Sequence, residues 1–243
     1  PASTPLPALQ KPFLPCPSKT MSTTEVIIHL PFIPLLLTTA YVFLQWRKLD
    51  KALNVLRWFA VFEFLMQTTA TVLAFYNILN TPLLYLYVPV DFLLKSFFYA
   101  RLLSNSINTR IIYLFMVGFI LYCLTDVLFI SDLHVFNSVA LSIQSILMVI
   151  LTLSTFFIMV ESEFMENNPK LANAVIWINS GFFLYHTGNI LFFYFGDILM
   201  DTTFPDHEAL ITTVSHSFLY LVMYFCLLIG LWKSPKHTNF LST

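Results

Sequence analysis

Seven long apolar runs, separated by short polar connections, account for most of the chain. Each run holds about 20 residues, enough for a helix rising ~1.5 Å per residue to cross ~30 Å of hydrocarbon. The connections contain helix breakers, as in NILNTP, SNSINTR, ENNPK and DTTFPDHE. The pattern predicts an all-α, polytopic membrane protein with transmembrane helices near 26–46, 56–76, 83–103, 111–131, 138–160, 174–197 and 209–232.

Composition supports lipid as the main solvent of this chain. Its 243 residues are 58% hydrophobic and 10% charged, against about 45–50% and 25% in soluble domains. The mean hydropathy is +0.77. The net charge of −1 gives no reason to expect a nucleic acid partner, because such partners select for basic surfaces. The expected partner is therefore the lipid bilayer.

The two ends of the sequence differ from the apolar region. Residues 1–20 hold six of the 13 prolines and show no helical periodicity, which predicts a disordered extension. Met21 follows directly, so this extension is interpreted as an addition to a chain that starts there. Residues 21–238 are predicted to form a single seven-helix transmembrane domain, and residues 239–243 a short cytoplasmic tail.

Basic and aromatic residues predict the orientation. With the N-terminus outside, the cytoplasmic segments hold nine Lys and Arg residues, and the outer connections between helices hold none. Cytoplasmic loops of membrane proteins carry such an excess, and tryptophan favours the membrane interface. The sequence thus predicts a multi-pass protein of the cytoplasmic (inner) membrane, N-terminus out and C-terminus in. The residues concerned are Arg47, Lys48, Lys51, Arg57, Arg101, Arg110, Lys170, Lys233 and Lys236, with Trp46, Trp58, Trp177 and Trp232.

Two opposite charges stand in the middle of the third run, YVPVDFLLKSFFYARLL at 87–103. Asp91 and Lys95 share a helix face because they are one turn apart. Lys95 lies about 9 Å from the inner interface, and Glu63 of the second run about 8 Å, from the helical rise. A charge exposed to lipid costs about 2.5–3.5 kcal/mol at the membrane centre. Glu63, Asp91 and Lys95 are therefore predicted to form a buried intramembrane charge cluster, in which one acid holds a proton.

Two uses of this cluster stay open. It can fix the register and contact face of the second and third helices. It can instead act as a proton or ion relay, since ionisable groups inside membranes are candidates for such a function. Lys95 can also extend its amine toward the inner interface and act as an anchor there.

A second set of polar residues lies nearer the outer face, in the fourth to seventh runs. It can serve interhelical hydrogen bonds, a pocket for a small or lipid-like ligand, or a metal site. The metal site would use His186, His216 and Asp126, with water in the open position. No cofactor is expected, and the three cysteines show no paired spacing. The candidate outer polar pocket consists of Asp126, Ser142, Ser145, His186, Asn189 and His216.

Three stretches carry a resemblance to known proteins: LPFIPLLL at 30–37, WINSG with FFYFGD within 177–197, and MYFCLLIGLWK at 223–233. They resemble small seven-helix proteins of bacterial inner membranes, and loosely the membrane portion of some bacterial sensor kinases. The resemblance implies a sensory module that signals to a separate cytoplasmic partner.

Motifs of enzymes are not found in the sequence, which contains no P-loop, HExxH, GxGxxG or GxSxG pattern. The sequence therefore favours a non-enzymatic sensory, ligand-binding or scaffold module. A small proton- or ion-coupled transporter is the first alternative, and a metal-dependent intramembrane hydrolase is the second.

Overall fold

The computed structural model describes residues 30–45, 52–76, 78–104, 106–130, 137–161, 168–194 and 206–235, together with Leu49. These ranges contain seven α-helices and no strand. The helices are α1 Phe32–Leu44, α2 Asn54–Phe75, α3 Thr81–Leu102, α4 Arg110–Thr125, α5 Ser138–Glu161, α6 Pro169–Tyr194 and α7 Asp206–Lys233. A π-helical turn, Asp126–Ile130, continues α4. The predicted extension at 1–20 and tail at 239–243 lie outside the described residues.

The predicted all-α class is confirmed, and the apolar helices suit a membrane protein. Within the described ranges, five segments are long and apolar enough to cross a bilayer: Asn54–Phe75, Thr81–Leu102, Arg110–Phe129, Ser138–Glu161 and Val214–Lys233. α1 is a shorter apolar helix. α6 is long enough, at 26 residues, but its Asn and His side chains lower its hydropathy. Seven crossings and their direction therefore stay predictions.

Polar side chains and proline help to start three helices. Asn137 Oδ1 accepts a 3.1 Å hydrogen bond from the Ala140 amide, which the first turn of α5 leaves without a helical partner. At the start of α4, Asn108 Oδ1 accepts from the Arg110 amide, also at 3.1 Å. Pro82 lies in the first turn of α3, where a missing N–H breaks no helical hydrogen bond.

The helices form a ring in chain order, because each contacts the next and α7 contacts α1. α3 also contacts α5, and half of its most apolar window is buried. The outside of the ring is apolar: Leu114, Phe129 and Phe157 are 70%, 81% and 66% exposed. The inside buries polar and charged side chains such as Asp91 and Lys95 together with many apolar ones, an arrangement that suits a hydrocarbon surrounding.

Basic side chains gather where α2, α4 and α6 begin and where α3 and α7 end. All the described Lys and Arg residues except Lys95 belong to this end. Lys233 stands 4.9 Å over the Trp177 ring, so the end of α7 meets the start of α6. We name this the basic end and the opposite one the polar end. The basic end holds Arg57, Arg101, Arg110, Lys170 and Lys233, with Trp58, Trp177 and Trp232.

Three glycines bring α6 and α7 into close contact along much of their length. A Cβ atom on Gly181 would lie 2.7 Å from the Cβ atom of Cys226. A Cβ atom on Gly230 would lie 2.7 Å from the carbonyl oxygen of Ala174, and one on Gly188 would overlap Leu219. Small residues serve this purpose in membrane helix pairs, where close backbone approach replaces the hydrophobic effect.

Candidate functional site

An ion pair lies at the centre of the ring. Lys95 Nζ is 2.8 Å from Asp91 Oδ2, and the two side chains are 0% and 1% exposed. On α6, His186 Nε2 is 3.2 Å from the same Nζ atom. A buried ion pair holds only if further contacts satisfy its polar atoms, and His186 supplies one of them.

Three aromatic rings surround the Lys95 amine. Its Nζ atom lies 5.2 Å from the ring centre of Phe59 on α2, and 5.4 and 5.6 Å from those of Phe182 and Tyr185 on α6. Ring faces attract a cation within about 6 Å. Lys95 therefore points into the ring of helices and does not extend toward the basic end.

The contacts of His186 indicate its tautomer. A lysine ammonium group only donates hydrogen bonds, so Nε2 of His186 has to accept from Lys95. The proton of a neutral imidazole is then on Nδ1, which lies 3.2 Å from Ser145 Oγ on α5. His186 is therefore interpreted as a neutral link between Lys95 and Ser145.

Glu63 enters the same site from α2. Its Oε2 atom accepts a hydrogen bond of 2.8 Å from the Tyr224 hydroxyl and another from the Tyr220 hydroxyl, both on α7. The two tyrosines are 3.0 Å apart at their hydroxyl oxygens. The Glu63 and Asp91 carboxyl groups are close enough to interact electrostatically. The structure thus brings together Glu63, Asp91 and Lys95, the three residues of the predicted charge cluster.

The two carboxyl groups compete for few donors. Gln144 on α5 donates through Nε2 to the Asp91 oxygen that already faces Lys95. Glu63 Oε1 and Asp91 Oδ1 are buried and have no donor among the described residues. Two ionised carboxylates near each other repel, and protonation of one of them removes the repulsion. The arrangement therefore suits one shared proton and one lysine charge for two acids.

The predicted outer polar pocket divides into separate groups. Ser145 and His186 join the central cluster. Nearer the polar end, the side chains of Asn189 and His216 meet at 2.6 Å. Asp126 accepts a 2.9 Å hydrogen bond from Asn137, and Ser142 Oγ is buried without a partner among the described residues.

Two enzymatic uses of these residues find little support in the geometry. A serine nucleophile needs a basic histidine, usually oriented by a carboxylate at its other ring nitrogen. His186, however, contacts Ser145 with one ring nitrogen and the Lys95 amine with the other. The positive charge of Lys95 disfavours protonation of the imidazole. Among the described residues, no group of three His, Cys, Asp or Glu side chains could hold a metal ion. His186, His216 and Asp126 therefore do not form the three-ligand site that a zinc hydrolase would need.

Several residues of the site escaped the sequence analysis although signals for them existed. Gln144 is a polar residue inside an apolar run, next to Ser145. Tyr220 and Tyr224 follow His216 at intervals of one helical turn, which places the three on one face of α7. Toward the basic end, Asn179 Oδ1 accepts a 2.7 Å hydrogen bond from the Tyr99 hydroxyl.

Comparisons with known proteins give no direct indication of function. No protein-family model, no curated protein and no solved structure matches this chain. The side chains at the centre of the ring are therefore the basis for assigning a role.

Proposed function

We propose that this chain is a seven-span protein of the cytoplasmic membrane that binds a proton reversibly at the Glu63–Asp91–Lys95 cluster and couples it to transport of a small ion or solute. One observation carries the proposal: two buried carboxyl groups, from α2 and α3, interact electrostatically beside one lysine. Each group also has an oxygen without a donor among the described residues. Such a site is stable with one proton and unstable without it.

Loss of that proton weakens the contact between α2 and α3. Two carboxylates about 4 Å apart repel each other by about 4 kcal/mol at an effective dielectric constant of about 20. A shift of about 5.5 kcal/mol moves a two-state equilibrium from 1:99 to 99:1. A repulsion of about 4 kcal/mol covers most of that shift, so it favours a second packing of α2 against α3 without completing the switch alone. The cluster also contacts α5, α6 and α7 through Gln144, His186 and the Tyr220–Tyr224 pair.

The proposed orientation places the basic end in the cytoplasm. Its five described Lys and Arg residues contrast with the polar end, where the described residues include none. Under this orientation the chain starts outside and ends inside, in agreement with the tryptophans at the basic end.

Infrared difference spectra of the protein in liposomes at acid and alkaline pH test the proposal. We expect one protonated carboxyl band that is lost as the pH rises and is missing from Glu63→Gln and Asp91→Asn. Asp126→Asn is the matched control and should keep the band, since Asp126 bonds Asn137 elsewhere. If no carboxyl band titrates, or if only Asp126→Asn removes it, the proposal is wrong.

A sensory or scaffold module is the second candidate, and the close contact between α6 and α7 favours it. The three glycines at that contact hold the two helices in one register, which suits a rigid unit more than a rocking one. A separate cytoplasmic partner would then read the basic end. In that case the charge cluster fixes helix packing, and its proton does not exchange.

A further inference from the structure

The centre of the ring is bordered differently on its two sides. Toward the polar end, α7 presents His216, Tyr220 and Tyr224 on one face. His216 and Tyr220 are half-buried and Tyr224 is fully buried, so this face becomes less accessible toward the cluster. The Tyr185 ring lies 5.8 Å from the His216 ring and 5.5 Å from the Tyr220 ring, between centres.

Hydrogen-bonding groups continue along this route. His216 contacts the Asn189 side chain, and Tyr220 donates to Glu63. Ser145 and Gln144 approach the same cluster from α5. Hydroxyl and imidazole groups can pass protons along a chain, and amide groups can hold the water molecules between them.

Toward the basic end, aromatic rings close the bundle directly below Lys95. Phe182 makes edge-to-face contacts with Phe59, Phe98 and Tyr99, at ring-centre distances of 5.7, 6.4 and 6.4 Å. All four rings are buried. A layer of this kind has no room for water, because buried side chains pack at crystal-like density.

A hydrogen-bonded layer follows one turn further. Asn179 accepts from Tyr99 on α3 and donates to the Thr152 carbonyl oxygen on α5 at 2.9 Å. Phe182 therefore lies between two layers that join α5 and α6: Ser145 with His186 on one side, and Thr152 with Asn179 on the other.

We infer that protons reach the buried cluster along the hydrogen-bonding groups on the polar side alone, with Phe182 as the barrier that separates it from the basic end. The inference deepens the proposed function, on which its meaning for proton exchange rests, by naming the side from which the proton arrives. In alternating access, a transporter has one state in which its binding site is open to one side and a barrier closes the other side. The polar route and the Phe182 layer fit such a state.

Cysteine labelling in vesicles of both orientations tests the inference. In a background with Cys16, Cys123 and Cys226 changed to Ala, Ser145→Cys and Thr152→Cys place thiols two turns apart on one face of α5. Exposed controls mark the compartments: Asn80→Cys the polar end and Ser104→Cys the basic end. A small charged methanethiosulfonate that does not cross membranes is the probe.

Ser145 is buried in this structure, so its thiol reacts only when the polar side opens. We expect slow reaction of Ser145→Cys only from the side that labels Asn80→Cys, and no reaction of Thr152→Cys from that side. Adding Phe182→Ala should let Ser145→Cys react from both sides, whereas Phe183→Ala, a neighbour paired with Phe156, should not. Reaction from both sides with Phe182 intact, from the basic side alone, or from neither side would overturn the inference. Labelling does not depend on proton binding, so this result is separate from the infrared test of the proposed function.

Discussion

Lys95 on α3 and His186 on α6 meet across the centre of the ring, with 3.2 Å between Nζ and Nε2. Because the ammonium group only donates, this contact requires an acceptor at Nε2. The contact joins two helices that are not neighbours in the chain, so it should contribute to stability.

Two substitutions of His186 should distinguish the loss of the hydrogen-bond acceptor from the loss of the imidazole side chain as a whole. His186→Leu removes the acceptor from a buried charge, for which a loss of about 1–3 kcal/mol is typical. His186→Gln keeps a carbonyl oxygen that can face Lys95 and should recover part of the loss. Thermal unfolding of the detergent-solubilised variants measures both. Equal stability of the Leu and Gln variants would show that the Lys95 contact contributes nothing.

The ion pair should be more sensitive to losing one partner than to losing both. Lys95→Met leaves two acids without a base, and breaking a buried pair costs about 3–5 kcal/mol. Asp91→Asn combined with Lys95→Met removes the charge imbalance and keeps a side chain that Gln144 can contact. The double variant should therefore unfold at a higher temperature than Lys95→Met alone. If the fall in unfolding temperature of the double variant equals the sum of the falls in Asp91→Asn and Lys95→Met, the two residues are not coupled.

The sequence predicted the cluster because its signals are local. Charged residues stand out in an apolar run, and a spacing of four residues places Asp91 and Lys95 on one face of a helix. The antiparallel connection of α2 to α3 then brings Glu63 to a similar depth. The all-α class follows from the same apolar runs.

The rest of the site depends on the order and rotation of helices, which no local pattern encodes. Depth along the membrane grouped Asp126 with His216, yet Asp126 bonds Asn137 while His216 contacts Asn189. Two residues at similar depths can lie on opposite sides of a ring about two helix diameters wide. Tyr220 and Tyr224 follow His216 on one face of α7, but this spacing does not identify Glu63 as their partner, and tyrosine in an apolar span also suits a membrane interface.

The contact between α6 and α7 should tolerate no added methyl group at its tightest point. Gly181→Ala places a Cβ atom 2.7 Å from the Cys226 Cβ and 3.1 Å from the Met223 carbonyl oxygen. Overpacking of this kind costs about 1–3 kcal/mol, so the variant should unfold at a lower temperature. Gly118→Ala on α4 is the control, with no atom within 4 Å of the new carbon. Loss of stability in both variants would point to helix flexibility as the cause.

Removing the two polar side chains beside Phe182, those of Tyr99 and Asn179, should lower the stability by different amounts. Tyr99→Phe removes one hydrogen bond to Asn179, and such bonds between membrane helices average about 0.6 kcal/mol. Asn179→Leu removes the bonds to both Tyr99 and Thr152 and adds a branched carbon among buried rings, so it should cost more. Unfolding temperatures check this order. Tyr113→Phe, at an exposed position on α4, should leave stability unchanged.

The asymmetry of the basic residues predicts the compartment that each end of the ring faces. A fluorescent protein fused after Lys233 should fold and fluoresce, since the basic end is assigned to the cytoplasm. Alkaline phosphatase fused after Asn80, at the polar end, should be active, because that enzyme needs an oxidising compartment for its disulfides. Both readings follow from the position of Arg57, Arg101 and Lys233 at one end. Phosphatase activity after Lys233, without activity after Asn80, would invert the orientation. The accessible side of the Glu63–Asp91–Lys95 cluster would then face the cytoplasm.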